Sequence, residues 1–114
     1  MVNRMNPGWT IIDSEKRATN YPNWAHTPKV VLDKIKPGYY VKIALASALW
    51  PGEWFWCRVF QVSETGFRVV VSQDMIYGNV HGVNDRQEMF IERRHVLGVL
   101  DGNMESVWEA NRGR

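Results

Sequence analysis

Residues 37–72 restrict most strongly what this chain can become, because they read as three strands in succession divided by short turns. Pro37-Gly38 is the first turn, and Tyr39 to Leu45 alternates behind it. Trp50-Pro51-Gly52 is the second turn, and Glu53 to Val62 is the densest apolar run. Glu64-Thr65-Gly66 then leads into Phe67 to Ser72. Period-two alternation rich in aromatic and β-branched residues, punctuated by Gly and Pro, marks antiparallel strands joined by tight connections.

The same alternation assigns faces. Tyr39, Val41, Ile43 and Leu45 point one way; Tyr40, Lys42, Ala44 and Ala46 point the other. In the second strand Phe55, Cys57 and Val59 are taken as interior, which puts Trp54, Trp56, Arg58 and Phe60 outside. In the third, Phe67, Val69 and Val71 face in and Arg68 faces out. On the outer face Arg58 is placed to stack on an indole, with the N-terminal segment as a cover.

The flanks are plainer. Thr27-Pro28 is a helix start, with Thr27 as cap and proline in the first turn. Val31, Leu32 and Ile35 share a face, so a short helix is predicted over 28–35, ended by Pro37. Upstream, Trp9, Ile11 and Ile12 suggest a short extended piece, Ser14 to Ala18 a helical turn, and Tyr21 to Trp24 a loop. With Trp9 and Trp24 to bury, this arm is expected to pack back on the barrel. Residues 73–86 read as a loop with turns at Gly78-Asn79, His81-Gly82 and Asn84-Asp85. Gln87 to Ile91 reads as a fourth strand and Val96 to Leu100 as a fifth. Met104, Val107 and Trp108 fall at helical spacing. The predicted fold class is therefore mostly β with minor α: an SH3-like, or similar, five-stranded antiparallel barrel over 28–100 with a short helix before it. Residues 1–27 form the arm and 101–114 a short helix or tail.

A chain of 114 residues holds one modest core. Cys57 is its only cysteine, no apolar run approaches a membrane span, and residues 1–7 lack an apolar signal core. The expectation is a cytoplasmic protein. Charge is unevenly spread. Residues 1–36 carry six Lys/Arg against three Asp/Glu, residues 37–100 six against six, and residues 101–114 two against three. A barrel that is neutral as a unit lacks the basic stripe of a domain built to grip phosphates.

Sites of chemistry are sparse. His26, His81, His95 and Cys57 stand at no metal-ligand spacing, and read as loop or surface histidines and a core thiol. Ser47 or Ser72 can be combined on paper with His81 or His95 and Asp74 or Asp85, but there is no nucleophile elbow and no glycine-rich phosphate loop. No enzyme activity, cofactor or metal is expected.

Ile35-Lys36-Pro37-Gly38-Tyr39-Tyr40-Val41-Lys42-Ile43 followed by Glu53-Trp54-Phe55-Trp56-Cys57-Arg58-Val59 resembles the paired strands of the YegJ-like group of small bacterial and phage proteins. His81-Gly82-Val83 and Phe90 to Val96 resemble that group's ending. The likeness covers about residues 28–100 and departs from the pattern at Tyr39 and at Arg86-Gln87. It implies a small β fold and carries over no activity. It also implies a phage or mobile-element setting, in which an inhibitor of a host protein is an expected role.

Together these readings predict a non-catalytic protein-binding module whose contact residues are Trp54, Trp56, Arg58, Arg68, Tyr77 and His81. A homodimer is a further option. The rival reading is a small barrel that binds single-stranded nucleic acid, with Trp54 and Trp56 as stacking platforms and Arg58, Arg68, Arg93 and Arg94 beside them.

Overall fold

A computed structural model describes residues 3–20 and 27–107. The elements, in chain order, are β1 (Trp9–Ile11), α1 (Ser14–Asn20), α2 (Lys29–Leu32), β2 (Tyr40–Ser47), β3 (Glu53–Val62) and β4 (Gly66–Val71). They continue with α3 (Gly78–His81), β5 (Glu88–Glu92), a 3-10 turn (Arg93–His95) and β6 (Gly98–Leu100).

The strands form one antiparallel sheet in the order β1-β2-β3-β4-β5, and β6 returns to pair with β2. β2 organises it. One side of β2 pairs with β3 along residues 40–45. The other is shared, with β6 on Tyr40, Val41 and Lys42 and β1 on Leu45, Ala46 and Ser47. The sheet curls into a half-barrel, and the inward side chains are those that the alternation assigns. Val41, Ile43, Leu45, Phe55, Cys57, Val59, Phe67, Val69 and Val71 are all buried, joined by Met89 and Ile91 from β5. Each such aliphatic or aromatic side chain withdrawn from water contributes about 1.5–3 kcal/mol.

Two local devices shape the curl. Phe60 is an extra residue between the paired Val59 and Gln61, a bulge that bends β3 against β4. Gly66 lies so close to β5 that a Cβ there would collide with the Ile91 carbonyl oxygen, so β4 has to begin with glycine.

Several expectations are revised. The helix before β2 is a single turn. Pro28 stands at its N-cap, and the Pro28 carbonyl accepts from Val31 and Leu32. Thr27 is not the cap: its hydroxyl is buried without a hydrogen-bond partner among the described residues. Val31, Leu32 and Ile35 are nonetheless buried, so the apolar stripe governs even where the helix is short. The described part of the arm, residues 3–20, pairs with β2 and is not the cover expected over the outer face of β3. Trp9, Thr10 and Ile11 extend the sheet beside the end of β2, and the Trp9 ring enters the core. The 73–86 stretch contains α3, closed by Gly82 in the left-handed region at φ 84°. Met104 is exposed in a turn that brings Ser106 against Leu100, not on a helix face. Tyr21 to Trp24, His26 and Trp108 lie outside the described residues.

Candidate functional site

The outer face of the β2–β3 hairpin carries the aromatic residues. Register sets Lys42 opposite Trp56 and Ala44 opposite Trp54. Because Ala44 is short, the Lys42 side chain can lean between the two indoles. Its ammonium lies 4.1 Å from the Trp54 ring centroid and 5.9 Å from that of Trp56, within the range of a cation–π contact. The far side of the Trp56 ring lies over Gly98 of β6, where a Cβ would sit 3.7 Å from it. Trp56 is thus half-buried, while Trp54 stays 63% exposed. The cation stacked on the indoles is Lys42 and not Arg58. Arg58 pairs with Tyr40 and Val70 across the sheet and projects into solvent.

Beside these rings lies a shallow groove of about 380 Å³, bordered by Lys42, Trp54, Trp56, Gln73, Ile76 and Tyr77. It exists because β3 outruns β4. The ladder between them ends at Cys57 and Val71, with one further bond from Ser72 N–H to the Trp56 carbonyl, 3.0 Å. Gln73 then spends its side-chain oxygen on the Trp56 N–H, 3.2 Å, and the chain turns away.

What holds the far wall is a buried carboxylate. Glu53 begins β3 on the inward side and is 5% exposed. It accepts from Ile76 N–H at 2.7 Å, Tyr77 N–H at 3.0 Å and His81 Nε2 at 2.7 Å. Val83 N–H donates to His81 Nδ1 at 3.0 Å, so the ring is the neutral tautomer that carries its proton on Nε2 and donates to Glu53. Burial pushes the Glu53 carboxyl up, but the donors from His81, Ile76 and Tyr77 outweigh it and leave the group below its ordinary value. The Trp9 ring stands edge-on to His81, centroids 5.3 Å apart. Asn6 closes the assembly by donating twice, N–H to the His81 carbonyl and Nδ2 to the Val80 carbonyl, both at 2.8 Å, while its own carbonyl accepts from Trp9 N–H at 3.4 Å.

The expected contact residues therefore divide. Trp54, Trp56 and Tyr77 border one groove, and Arg58 lies further along the same face. Arg68 is displaced by the bulge to the Phe60 ring, 5.5 Å away, and to Gln61. His81 is fully buried with both ring nitrogens engaged, so it fixes the groove's wall and cannot touch a partner. His95 is buried too, its Nδ1 accepting from Glu92 N–H. Burial, helped by Arg94, holds its pKa down. Arg93 and Arg94 are not free for phosphates: Arg93 pairs with Asp33, and Arg94 with Asp13 and Glu92. Cys57 is buried and its thiol pKa is pushed up accordingly. Among the described residues no three His, Cys, Asp or Glu side chains converge as metal ligands, and no helix is long and apolar enough to cross a membrane.

Sequence reasoning missed Lys42, Ile76 and Glu53. Lys42 was legible as outward-facing, but its position between the indoles depends on register. Glu53 looks like a polar strand start, and nothing local announces that three N–H groups meet it. No family model, curated protein or solved structure matches this chain.

Proposed function

We propose that this protein is a non-catalytic protein-binding module that engages its partner through Trp54, Trp56 and the groove beside them. The observation that carries this reading is the exposure of large apolar side chains at one end of the sheet. Trp54 is 63% exposed and Ile76, across the groove, 80%; Leu49 and Trp50 in the β2–β3 connection are 88% and 52% exposed. Exposed side chains of this size, grouped around the half-buried Trp56, are the usual anchors of a protein interface. Leu49 and Ile76 have little to offer a phosphate backbone. We read the architecture as SH3-like, on the strength of a four-strand meander (β2 to β5), a 3-10 turn, and a last strand returning to β2.

The single-stranded nucleic-acid reading retains one specific support. Lys42, Arg58 and Arg68 interleave with Trp54, Trp56 and Phe60 on the outer faces of β2, β3 and β4, which carry no carboxylate. One experiment separates the two. Immobilised wild type and Trp54→Ala are each exposed to an extract of the source cells, and any retained protein is then tested as a purified binary pair. A partner that binds wild type and is lost from the variant supports the proposal. Salt-sensitive quenching of tryptophan emission by oligothymidylate, with no protein retained, would transfer the face to nucleic acid.

A further inference from the structure

We infer that the groove is a strand-addition site, where an extended acidic segment of the partner lies along the uncovered edge of β3 at Trp54. This rests on the protein-binding reading and specifies the chemistry of the partner.

The backbone directions of β3 carry the first half of the argument. Val59 exchanges both of its backbone bonds with the β2 side, donating to Tyr39 and accepting from Gly38, 2.8 Å each. Direction alternates along a strand. Phe55 and Glu53 therefore share the orientation of Val59, toward β2, while Arg58, Trp56 and Trp54 turn their N–H and C=O to the β4 side. There Arg58 pairs with Val70, and the Trp56 carbonyl accepts from Ser72. The Trp56 N–H goes to the Gln73 side chain and not to a strand. Among the described residues no strand lies beside the next outward pair, the N–H and C=O of Trp54. The segment that would continue β4 is drawn off by Glu53, which takes the Ile76 and Tyr77 N–H groups. The groove occupies the space a neighbouring strand would fill. An open backbone pair on a strand already fixed from its other side is what an added strand uses.

Charge supplies the second half. Lys42 leans over the two indoles at the rim, and no carboxylate pairs with it among the described residues. The groove's own acid, Glu53, already accepts three N–H groups. A segment laid against Trp54 would bring alternate side chains over the Trp54–Lys42–Trp56 rim. An Asp or Glu there completes the ion pair, and an apolar neighbour meets Ile76. A second copy of this chain fits poorly, because two-fold pairing through this face would oppose Lys42 and Arg58 to one another.

The test is selection from a random-peptide display library on wild type, followed by hydrogen exchange at the Trp54 amide with the enriched peptide bound. Enriched sequences should alternate Asp or Glu with apolar residues, and the bound peptide should slow Trp54 N–H exchange at least about tenfold. Lys42→Glu, at a half-exposed outward position, should reverse the selection toward basic peptides. Peptides without acidic residues, or binding that leaves the Trp54 amide unprotected, would overturn strand addition while leaving a protein-binding face. Failure to enrich any peptide, with oligothymidylate or the chain itself binding instead, would overturn both.

Discussion

Glu53 is the residue on which the groove depends, because it converts a loop into a wall. Three N–H groups converge on its buried carboxylate. Glu53→Ala leaves all three without an acceptor and should lower unfolding free energy by about 3 kcal/mol or more, as measured by denaturant titration. His81→Ala should cost less, because the two backbone donors keep their acceptor. The carboxylate also sets a pH dependence. Its folded pKa lies below the unfolded value of about 4.3. Unfolding at acid pH therefore takes up a proton, and the stabilisation is complete above that value and is lost as pH falls through the folded pKa. His95 acts in the same direction at higher pH. Its folded pKa is depressed below the usual value of about 6.5, so stability begins to decline as pH drops past that point. Unfolding midpoints measured from pH 7 to pH 3 should fall in two stages, and Glu53→Ala should flatten the lower one.

Among the elements, β5 pairs with β4 alone among the described strands, and the chain closes its other flank with side chains. Phe90 N–H donates to Asn3 Oδ1 at 2.8 Å, and Asn3 Nδ2 donates to the Phe90 carbonyl at 2.7 Å, so one carboxamide imitates a neighbouring strand. His95 takes the Glu92 N–H, and the exposed Glu88 and Glu92 add charge to the edge. Asn3→Ala should speed exchange of the Phe90 amide and cost about 1 kcal/mol. Asn3→Asp, which can accept but not donate, should protect the amide partly. Gly66→Ala should cost at least about 2 kcal/mol, since the Ile91 carbonyl has to move; thermal melting would show it. These elements mark where legibility in the sequence ends. The strands and their inward faces were readable because alternation is a local property, and Phe55, Cys57 and Val59 are buried for the reason their spacing gives. The guard at Asn3 and the convergence on Glu53 depend on residues tens of positions apart, and the bulge at Phe60 on the register between β3 and β4. Trp54 and Trp56 could be placed outside from the sequence alone. Lys42 between them needed the register, and His81 was misplaced because a His-Gly pair looks like an exposed turn until its ring is seen against Glu53.

At the scale of the molecule, the arm decides whether residues 28–100 stand alone. Asn3 closes the β5 edge, and Arg4 accepts from Gln87 through its carbonyl at 3.0 Å. Asn6 ties the chain to α3, Trp9 fills the core beside His81, and residues 9–11 pair with the end of β2. This single stretch therefore bridges the two ends of the curled sheet, β5 and the flank of β2. Removing it uncovers both at once. Trp9 alone is 7% exposed, and loss of a buried indole costs about 3–5 kcal/mol, a large part of the stability a domain this size has to lose. A chain beginning at residue 13 should therefore lack a cooperative unfolding transition, or show one lowered by at least that amount. Trp9→Ala in the full chain should reproduce most of the loss, and Trp9→Phe should restore part of it. Were the shortened chain to melt like wild type, the arm would be an addition to a self-sufficient barrel. The groove's wall, roofed by Trp9 and Asn6 through His81, would then have to be held by Glu53 alone.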